Sequence, residues 1–360
     1  MDPIHQSYAL AGLSVTAIAV LLNLLILVPN VHHVPNLLPS SFLIIWICVG
    51  DLISSINSLI ITSTLLLTNG GDYNSKACQV QGAVYTFGCI LSIAALTGLA
   101  EFRFRVVVLK TDTHRRIAPI FIFVVILVAA TQVSLPFLMN SAAETYILHQ
   151  TRMVCAIAFH SRETKVQAVA LVSTVGICIP LLFLGFAYAA IYMQVRRVSR
   201  RLKENLESDP PQRGGVRVDG NSAEGEEAAT TRFKTSGGAG PKFLSRASSR
   251  QAFGKESLDQ DSTTPDAMTI NKRALNDDER REKKLLIQSV AIVCLFLVGW
   301  GPWFVLMVKE GITGSPVTLR FEFVADLFML LTAALNPCLV LIFDDTIRAN
   351  VAASVLGKYW

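Results

Sequence analysis

In the sixth of seven long apolar segments, the chain contains the sequence Phe296-Leu297-Val298-Gly299-Trp300-Gly301-Pro302. A proline inside an apolar helix removes one backbone hydrogen bond and bends the helix. Phe296 and Trp300 are four residues apart, so they lie one turn apart on the same face. The sequence therefore predicts a kinked helix with two bulky aromatic side chains beside the bend.

The composition indicates an integral membrane protein. Hydrophobic residues make up 52% and charged residues 16% of the 360 residues, and the mean hydropathy is +0.47, which is more apolar than a soluble domain. A membrane-crossing helix needs about 20 apolar residues. Seven segments meet this requirement, at about 8–29, 41–67, 79–102, 117–139, 166–195, 285–308 and 320–343. Barrel strands would be about half as long, so the predicted fold is an all-α bundle of seven transmembrane helices.

Basic residues cluster on one side of the predicted bundle. They follow the third span, flank the long segment between the fifth and sixth spans, and follow the seventh span. By the positive-inside rule the N-terminus lies outside and the C-terminus in the cytosol. Of the seven cysteines, Cys78 and Cys155 lie on the oxidising outer side, and the other five fall within spans.

Polar residues within the spans are candidates for function. Asp51 lies near the middle of the second span, where a carboxylate must be neutralised, paired or hydrated. The alternative is a neutral aspartic acid that hydrogen-bonds between helices. The Asn23 amide is expected to find a partner on another helix. Asn336-Pro337 in the seventh span leaves free backbone groups that water and the amide can satisfy.

The segment between Val198 and Arg281 is rich in Gly, Ser, Pro and charged residues and has no apolar periodicity. We expect a disordered cytosolic loop here. Its basic ends, 196–201 and 280–284, are predicted to extend the fifth and sixth helices into the cytosol or to attract anionic lipid, and both can hold.

The predicted organisation has four parts: helices 1–5 in residues 1–197, the loop in 198–281, helices 6–7 in 282–343, and a juxtamembrane helix with the tail in 344–360. Asp344 and Asp345 offer an N-cap for that last helix. Ile347, Val351 and Val355 would form its apolar face on the inner membrane surface.

Nine residues carry a resemblance to the rhodopsin-like (class A) G-protein-coupled receptors. They match that family in order and spacing, and they are Asn23, Asp51, Cys78, Arg103, Pro180, Trp300, Pro302, Asn336 and Pro337. The resemblance covers all seven spans and the tail helix. The chain departs from the family pattern at several positions and so resembles a divergent member. Phe102 and Phe104 stand beside Arg103, Val340 replaces a tyrosine, and the fourth span has no tryptophan.

The resemblance implies a receptor rather than an enzyme, located in the plasma membrane. It implies a disulfide between Cys78 and Cys155 and a small-molecule or peptide ligand bound within the bundle. The positions that match the family's ligand site are Tyr85, Thr86, Cys89, Val172, Gly176, Trp303, Phe304, Met307, Glu322, Asp326 and Leu330. Asp326, with Glu322 one turn above it, would receive a cationic group, or would hydrogen-bond with Tyr85 to pack the bundle.

The resemblance also implies a switch that activates a heterotrimeric G protein. Its members are Ile93, Pro180, Phe296, Trp300, Pro302, Asn336 and Pro337. Arg103 and Tyr188 would meet the G protein, and Glu282 or Glu101 would pair with Arg103 at rest.

Besides the G protein, the resemblance implies an allosteric sodium ion at Asp51, Ser92, Thr332 and Asn336, since oxygen ligands with one carboxylate suit such a cation. Membrane lipids, and kinases and arrestin-like proteins at the third cytoplasmic loop, are further expected partners. Nucleic acid is not expected as a partner.

Two other classes of seven-helix protein would require sequence features that differ from those of a receptor. Residues 321–343 contain no lysine, and Leu330 stands where visual pigments carry theirs, so covalent retinal is excluded. A transporter should show internal repeats with paired broken helices, and no such similarity is found. A transporter or a non-retinal sensor without G-protein coupling remains the alternative function.

Overall fold

A computed structural model of the chain describes residues 2–70, 73–111, 116–208, 265–355 and 357. The chain divides into two compact units, one of Met1–Arg201 with Asn276–Trp360 and one of Leu202–Leu275. In the described part of the chain, seven helices are long and apolar enough to cross a membrane. This confirms the predicted seven-helix fold.

The seven spans are α1 (Pro3–Asn30), α2 (Pro39–Leu67), α3 (Ser75–Phe104), α4 (Ile117–Leu138), α5 (Thr164–Ser208), α6 (Pro265–Thr313) and α7 (Leu319–Phe343), and α8 (Asp345–Val355) follows them. A 3-10 helix, Val31–Asn36, continues α1, and a π-helical segment, Arg105–Leu109, continues α3. Between α4 and α5 the chain makes one helical turn, Ala142–Thr145, and then an antiparallel pair of strands, β1 (Tyr146–Leu148) and β2 (Cys155–Ile157).

Two glycines bring α2 and α3 into close contact. A Cβ atom on Gly50 would lie 2.7 Å from the Gly88 carbonyl oxygen, and one on Gly88 would lie 2.9 Å from the Gly50 carbonyl oxygen. Small residues at facing positions allow membrane helices to approach this closely. As a result, Asp51 on α2 and Ser92 on α3 lie within hydrogen-bonding distance.

The amide of Asn23 joins α1 to α7. It is fully buried and donates to the carbonyl oxygens of Ala19, at 2.8 Å, and Ala333, at 3.0 Å. The second bond crosses to another helix, because an amide in an apolar interior needs a polar partner. The prediction of an interhelical partner for Asn23 is confirmed.

The helices α5 and α6 run into the segment 198–281 that we expected to be loop. α5 continues to Ser208 and α6 begins at Pro265. The Arg, Lys, Leu and Glu residues at 196–208 favour helix, and the first strong breaker is Pro210. Proline is well tolerated at the first position of a helix, where α6 begins. Residues 209–264, the centre of the expected disordered loop, lie outside the described residues.

The short helix α8 is capped by Asp344, as predicted. Its Oδ1 accepts hydrogen bonds from the backbone N–H groups of Thr346 and Ile347, both at 3.0 Å. Its Oδ2 accepts from the Ser41 hydroxyl at 2.9 Å, which fastens the junction of α7 and α8 to α2. Of the predicted apolar face, Ile347 is buried against the bundle, whereas Val355 is 68% exposed.

Candidate functional site

The segment that we call the outer hairpin, residues 146–157, is inserted into the outer end of the bundle. Its strand β2 is joined to α3 by the predicted disulfide between Cys78 and Cys155, whose Cα atoms are 5.5 Å apart. Every residue from Met153 to Phe159 is buried. Our sequence reasoning did not foresee this insertion, although the apolar run Met153–Phe159 in a loop was a signal for it.

The turn of the outer hairpin is attached to α7 through two buried acids. Thr151 Oγ1 donates to Asp326 Oδ2 at 2.6 Å, and the Thr151 backbone N–H donates to Glu322 Oε1 at 3.2 Å. His149 Nδ1 lies 3.3 Å from the same Glu322 oxygen. Trp303 Nε1 donates to Asp326 Oδ1 at 3.0 Å. Both acids therefore have partners within the chain.

The alternative hydrogen bond between Tyr85 and Asp326 is not formed. Tyr85 is buried and donates instead to the Met329 sulfur atom at 3.3 Å. Thr151 and Trp303 donate to the two oxygens of Asp326 instead.

His149 is held in an acidic environment. Burial alone would lower its pKa, but the hydrogen bond to Glu322 and the nearby carboxylates of Asp326 and Glu310 raise the pKa of His149 to about 8. The imidazole is therefore protonated at neutral pH. His149 and Thr151 were not among the predicted site residues, because neither lies on a span.

A third buried acid, Glu310, lies near the outer end of α6. Its Oε1 accepts from the Val317 backbone N–H at 3.0 Å, and its Oε2 lies 3.4 Å from His160 Nδ1. Glu310 thereby connects α6 to the segment before α7 and to the loop before α5. Sequence reasoning missed it too.

Beneath the outer hairpin lies a cavity of about 30 Å³, which we call the upper cavity. It has room for about two water molecules. Its lining consists of Tyr85, Thr86, Cys89 and Ile90 from α3, Gln132 from α4, Ala156, Ile157 and Phe159, Ser173 and Ile177 from α5, Trp300 and Trp303 from α6, and Met329 from α7. Tyr85, Thr86, Cys89 and Trp303 thus lie where the sequence placed a ligand site.

Other predicted ligand residues lie elsewhere. Val172 and Gly176 on α5 are exposed on the outer face, and Ser173 and Ile177, one residue later, line the upper cavity. One residue turns a helix by 100°, so the predicted ligand positions on α5 differ by one residue from those that line the upper cavity. Met307 is buried, and Phe304 packs against the core; neither lines the upper cavity.

A second cavity, the lower cavity, has a volume of about 20 Å³ and lies around Asp51. Asp51 accepts hydrogen bonds from Ser92 at 2.7 Å and from the Asn336 amide at 2.8 Å. Thr332 and Leu330 also line this cavity. A Cβ atom on Gly299 would lie 1.7 Å from Thr332 Oγ1, so glycine is needed where α6 meets α7.

The lower cavity suits a small cation. Ser55, which sequence reasoning missed, lines it, and the Ser55 hydroxyl is buried without a hydrogen-bond partner among the described atoms. The Asn336 side-chain oxygen is likewise buried without a partner there. With Asp51, these oxygens fit a monovalent cation or a water molecule, for which the volume is sufficient.

Trp300 lies between the two cavities and lines both, as do Tyr85, Cys89 and Met329. It stacks on Phe296 with ring centroids 5.5 Å apart, and both rings are buried, as is Ile93. Each of the helices α5, α6 and α7 contains its predicted proline, Pro180, Pro302 or Pro337. The predicted switch residues thus lie between the two cavities and along these helices.

At the cytosolic end, Glu101 pairs with Arg105 and not with Arg103. Arg103 has a buried Nε atom, and its charge interacts with Tyr188 and Asp344. This corrects the alternative in which Glu101 holds Arg103. Position 282 lies on the backbone of α6, but the Glu282 side chain lies outside the described residues.

Seven spans, an outer hairpin tied by a disulfide, and two cavities that share lining residues define a seven-helix membrane receptor. The family model described as 7 transmembrane receptor (rhodopsin family) matches residues 22–339. The chain belongs to this family of receptors, which are multi-pass membrane proteins and not enzymes.

No curated protein matches the sequence. The crystal structure of squid rhodopsin is similar, with a TM-score of 0.70 and 16% sequence identity, over 99% of this chain and 87% of that chain. At this identity the likeness shows the fold alone.

Proposed function

We propose that this receptor binds an extracellular ligand in the upper cavity and then activates a heterotrimeric G protein on the cytosolic side of the plasma membrane. The observation that carries the proposal is the position of Trp300, which lines both cavities and stacks on Phe296 beside the proline of α6. A ligand that moves Trp300 would change the lower cavity and the bend of α6 together.

The size and lining of the upper cavity restrict the ligand. Its volume of about 30 Å³ is far below the ~300–1,000 Å³ of sites for drug-sized molecules. Binding must therefore displace part of the outer hairpin. The mostly apolar lining favours a small apolar or amphipathic ligand. A cationic group would have to replace His149 or Thr151 at the acids of α7.

We further propose that the lower cavity holds an allosteric sodium ion. Asp51, Ser92, Thr332 and Asn336 are the residues that would hold it, with Ser55 as an additional oxygen donor. The ion would balance the charge of Asp51 and favour the resting arrangement of α2, α3 and α7.

On the cytosolic side, Arg103 and Tyr188 are the proposed G-protein contacts, with Glu282 as the acid that restrains Arg103 at rest. Anionic lipids at residues 196–201 and 280–284 are further proposed partners. Kinases and arrestin-like proteins are proposed to act on the loop centred on 209–264.

The test is nucleotide exchange on purified G proteins of several subtypes, with the receptor in lipid nanodiscs and a library of small apolar and amphipathic compounds. An active compound should increase exchange with the natural chain. Phe296→Ala should lose this increase while keeping compound binding, because Phe296 stacks on Trp300 but does not line the upper cavity, and Arg103→Ala serves as a coupling-defective control. Compounds that bind without changing exchange would support the sensor alternative. Compounds that cross the membrane of sealed vesicles only when the receptor is present would support the transporter alternative.

A further inference from the structure

The turn of the outer hairpin buries one histidine among three acids. His149 lies 3.3 Å from Glu322 on α7, and Asp326, one turn below on the same helix, and Glu310 on α6 are the other charged groups that face it. The Trp303 ring lies 6.0 Å from the imidazole, between centroids. His149, Glu322, Asp326 and Glu310 are all buried.

The charge balance of this cluster depends on His149. Among the described residues, His149 is the only basic side chain within 4.0 Å of Glu322, and none lies that close to Asp326. Two buried carboxylates one turn apart repel each other and are poorly solvated. A protonated imidazole offsets this repulsion, whereas a neutral one leaves both carboxylates without a positive partner.

The ring nitrogen that would exchange the proton is identifiable. Nδ1 faces Glu322, so Nε2 is the nitrogen whose protonation sets the charge. Nε2 is buried and has no hydrogen-bond partner among the described atoms. Protonation of Nε2 therefore leaves an N–H donor without a protein acceptor in the described structure, a cost that the carboxylates facing the imidazole outweigh.

We propose that His149, held by Glu322 and Asp326, is a binding site for extracellular protons that controls whether the outer hairpin stays attached to α7. The attachment consists of the contacts of His149 and Thr151 with these two acids. Its effect on ligand entry rests on the function proposed above, but proton binding and hairpin attachment do not.

The sign of the pH dependence follows from the environment of His149. The pKa of an unperturbed histidine is about 6.5, which applies to a released hairpin, whereas the attached hairpin raises it to about 8. Protonation therefore stabilises attachment fully below about pH 6.5, and this stabilisation is lost as the pH rises through about 8. The ratio of attached to released hairpin should fall about 30-fold across this window.

Labelling of Cys89 can measure the release of the hairpin. Cys89 is buried and lines the upper cavity, beneath Ala156 and Ile157 of the hairpin. A charged, membrane-impermeant thiol reagent is applied to the full chain in nanodiscs between about pH 6 and about pH 9, and labelling at Cys89 is quantified by mass spectrometry. Neither ligand nor G protein is needed, so the result is independent of the proposed function.

The natural chain is compared with His149→Gln at each pH, because the ratio of their rates cancels the ionisation of the thiol itself. His149→Gln mimics the neutral imidazole. It should label up to about 30-fold faster than the natural chain at about pH 6 and at the same rate at about pH 9. A ratio that does not change with pH would overturn the proposal.

Two further variants test whether His149 and its contact with Glu322 carry the pH dependence. His160→Gln, which changes the other loop histidine facing an acid, should retain the pH dependence of the natural chain. Glu322→Gln should move the transition towards pH 6.5 and reduce its size, and it keeps the test available if His149→Gln does not fold. If the pH dependence of labelling disappeared in His160→Gln, or stayed unchanged in Glu322→Gln, another group would be responsible for it.

Discussion

Glu101 forms an ion pair with Arg105, one turn further along in the π-helical segment that continues α3, and leaves Arg103 to interact with Tyr188 and Asp344. The Glu101 and Arg105 side chains are 36% and 43% exposed, and such a surface pair stabilises a helix by only about 0.3–0.5 kcal/mol. The resting position of the Arg103 side chain therefore depends on acids other than Glu101.

Glu282→Ala should raise basal G-protein activation, because it removes the proposed restraint on Arg103. An interfacial pair worth about 1 kcal/mol changes the ratio of resting to active receptor about fivefold. Glu101→Ala is the matched control and should leave basal activation unchanged, since Glu101 pairs with Arg105. Basal nucleotide exchange at equal surface expression is the measurement, and a rise confined to Glu101→Ala would contradict the assignment.

Asp344 can be tested separately as a charge and as a helix cap. Asp344→Asn keeps a side chain that can cap α8 but removes the charge near Arg103. Asp344→Ala removes both, and it should lower the free energy of unfolding by about 1 kcal/mol relative to Asp344→Asn. Both variants should raise basal exchange; if only the alanine variant does, the cap rather than the charge restrains the receptor.

Asp51→Asn should abolish any sodium dependence of agonist affinity, because it removes the carboxylate of the lower cavity. Ser55→Ala should weaken the dependence, since the Ser55 hydroxyl is free to bind an ion. Ser54→Ala is the matched control, because the Ser54 hydroxyl already donates to the Gly50 carbonyl at 2.8 Å. Agonist affinity is measured with sodium and with a large organic cation; unchanged dependence in Asp51→Asn would place the ion elsewhere.

The register of α5 predicts opposite effects for neighbouring positions. Ile177→Trp would fill the upper cavity and should lower ligand affinity by about 5- to 150-fold, since overpacking commonly costs ~1–3 kcal/mol. Val172→Trp should have little effect, because Val172 is 49% exposed on the outer face. Competition binding measures the ligand affinity of both variants. A loss of affinity in Val172→Trp alone would support the ligand positions on α5 that were predicted from the sequence.

Replacing both Cys78 and Cys155 with serine should destabilise the receptor by about 2–4 kcal/mol, the usual contribution of a disulfide. The midpoint of thermal unfolding in nanodiscs measures the loss. Mass spectrometry of the unreduced natural chain provides the check, and free thiols at both positions would refute the bond.

The sequence was sufficient for features that depend on length, polarity or a single strongly polar residue. The seven spans, the interhelical bond of Asn23 and the cap at Asp344 belong to this group. The helices α5 and α6 extend beyond the predicted extensions at 196–201 and 280–284, and on α5 the favourable helix residues at 202–208 were treated as part of the loop. The apolar face predicted for α8 is buried at Ile347 and Val351 and exposed at Val355.

The differences between the predicted ligand residues and the residues that line the upper cavity have a different physical cause. α5 is apolar on nearly all sides within the membrane, so neither lipid-facing nor cavity-facing residues stand out by polarity. The roles of His149, Thr151 and Glu310 depend on contacts between segments distant in sequence. Local sequence patterns do not reveal such contacts. The insertion of the outer hairpin could be predicted only from the arrangement of the helices that surround it.

The outer hairpin is also a tether of fixed length between the third and seventh spans. Cys155 is bound covalently to α3 and Thr151 is hydrogen-bonded to α7, and four residues of chain reach at most about 14 Å between their Cα atoms when fully extended. The separation of α3 and α7 at their outer ends is therefore bounded while Thr151 keeps its partners. Any larger outward movement of α7 must first break the contacts of His149 and Thr151 with the two acids of α7, which makes these two residues the mechanical limit on how far this receptor can open.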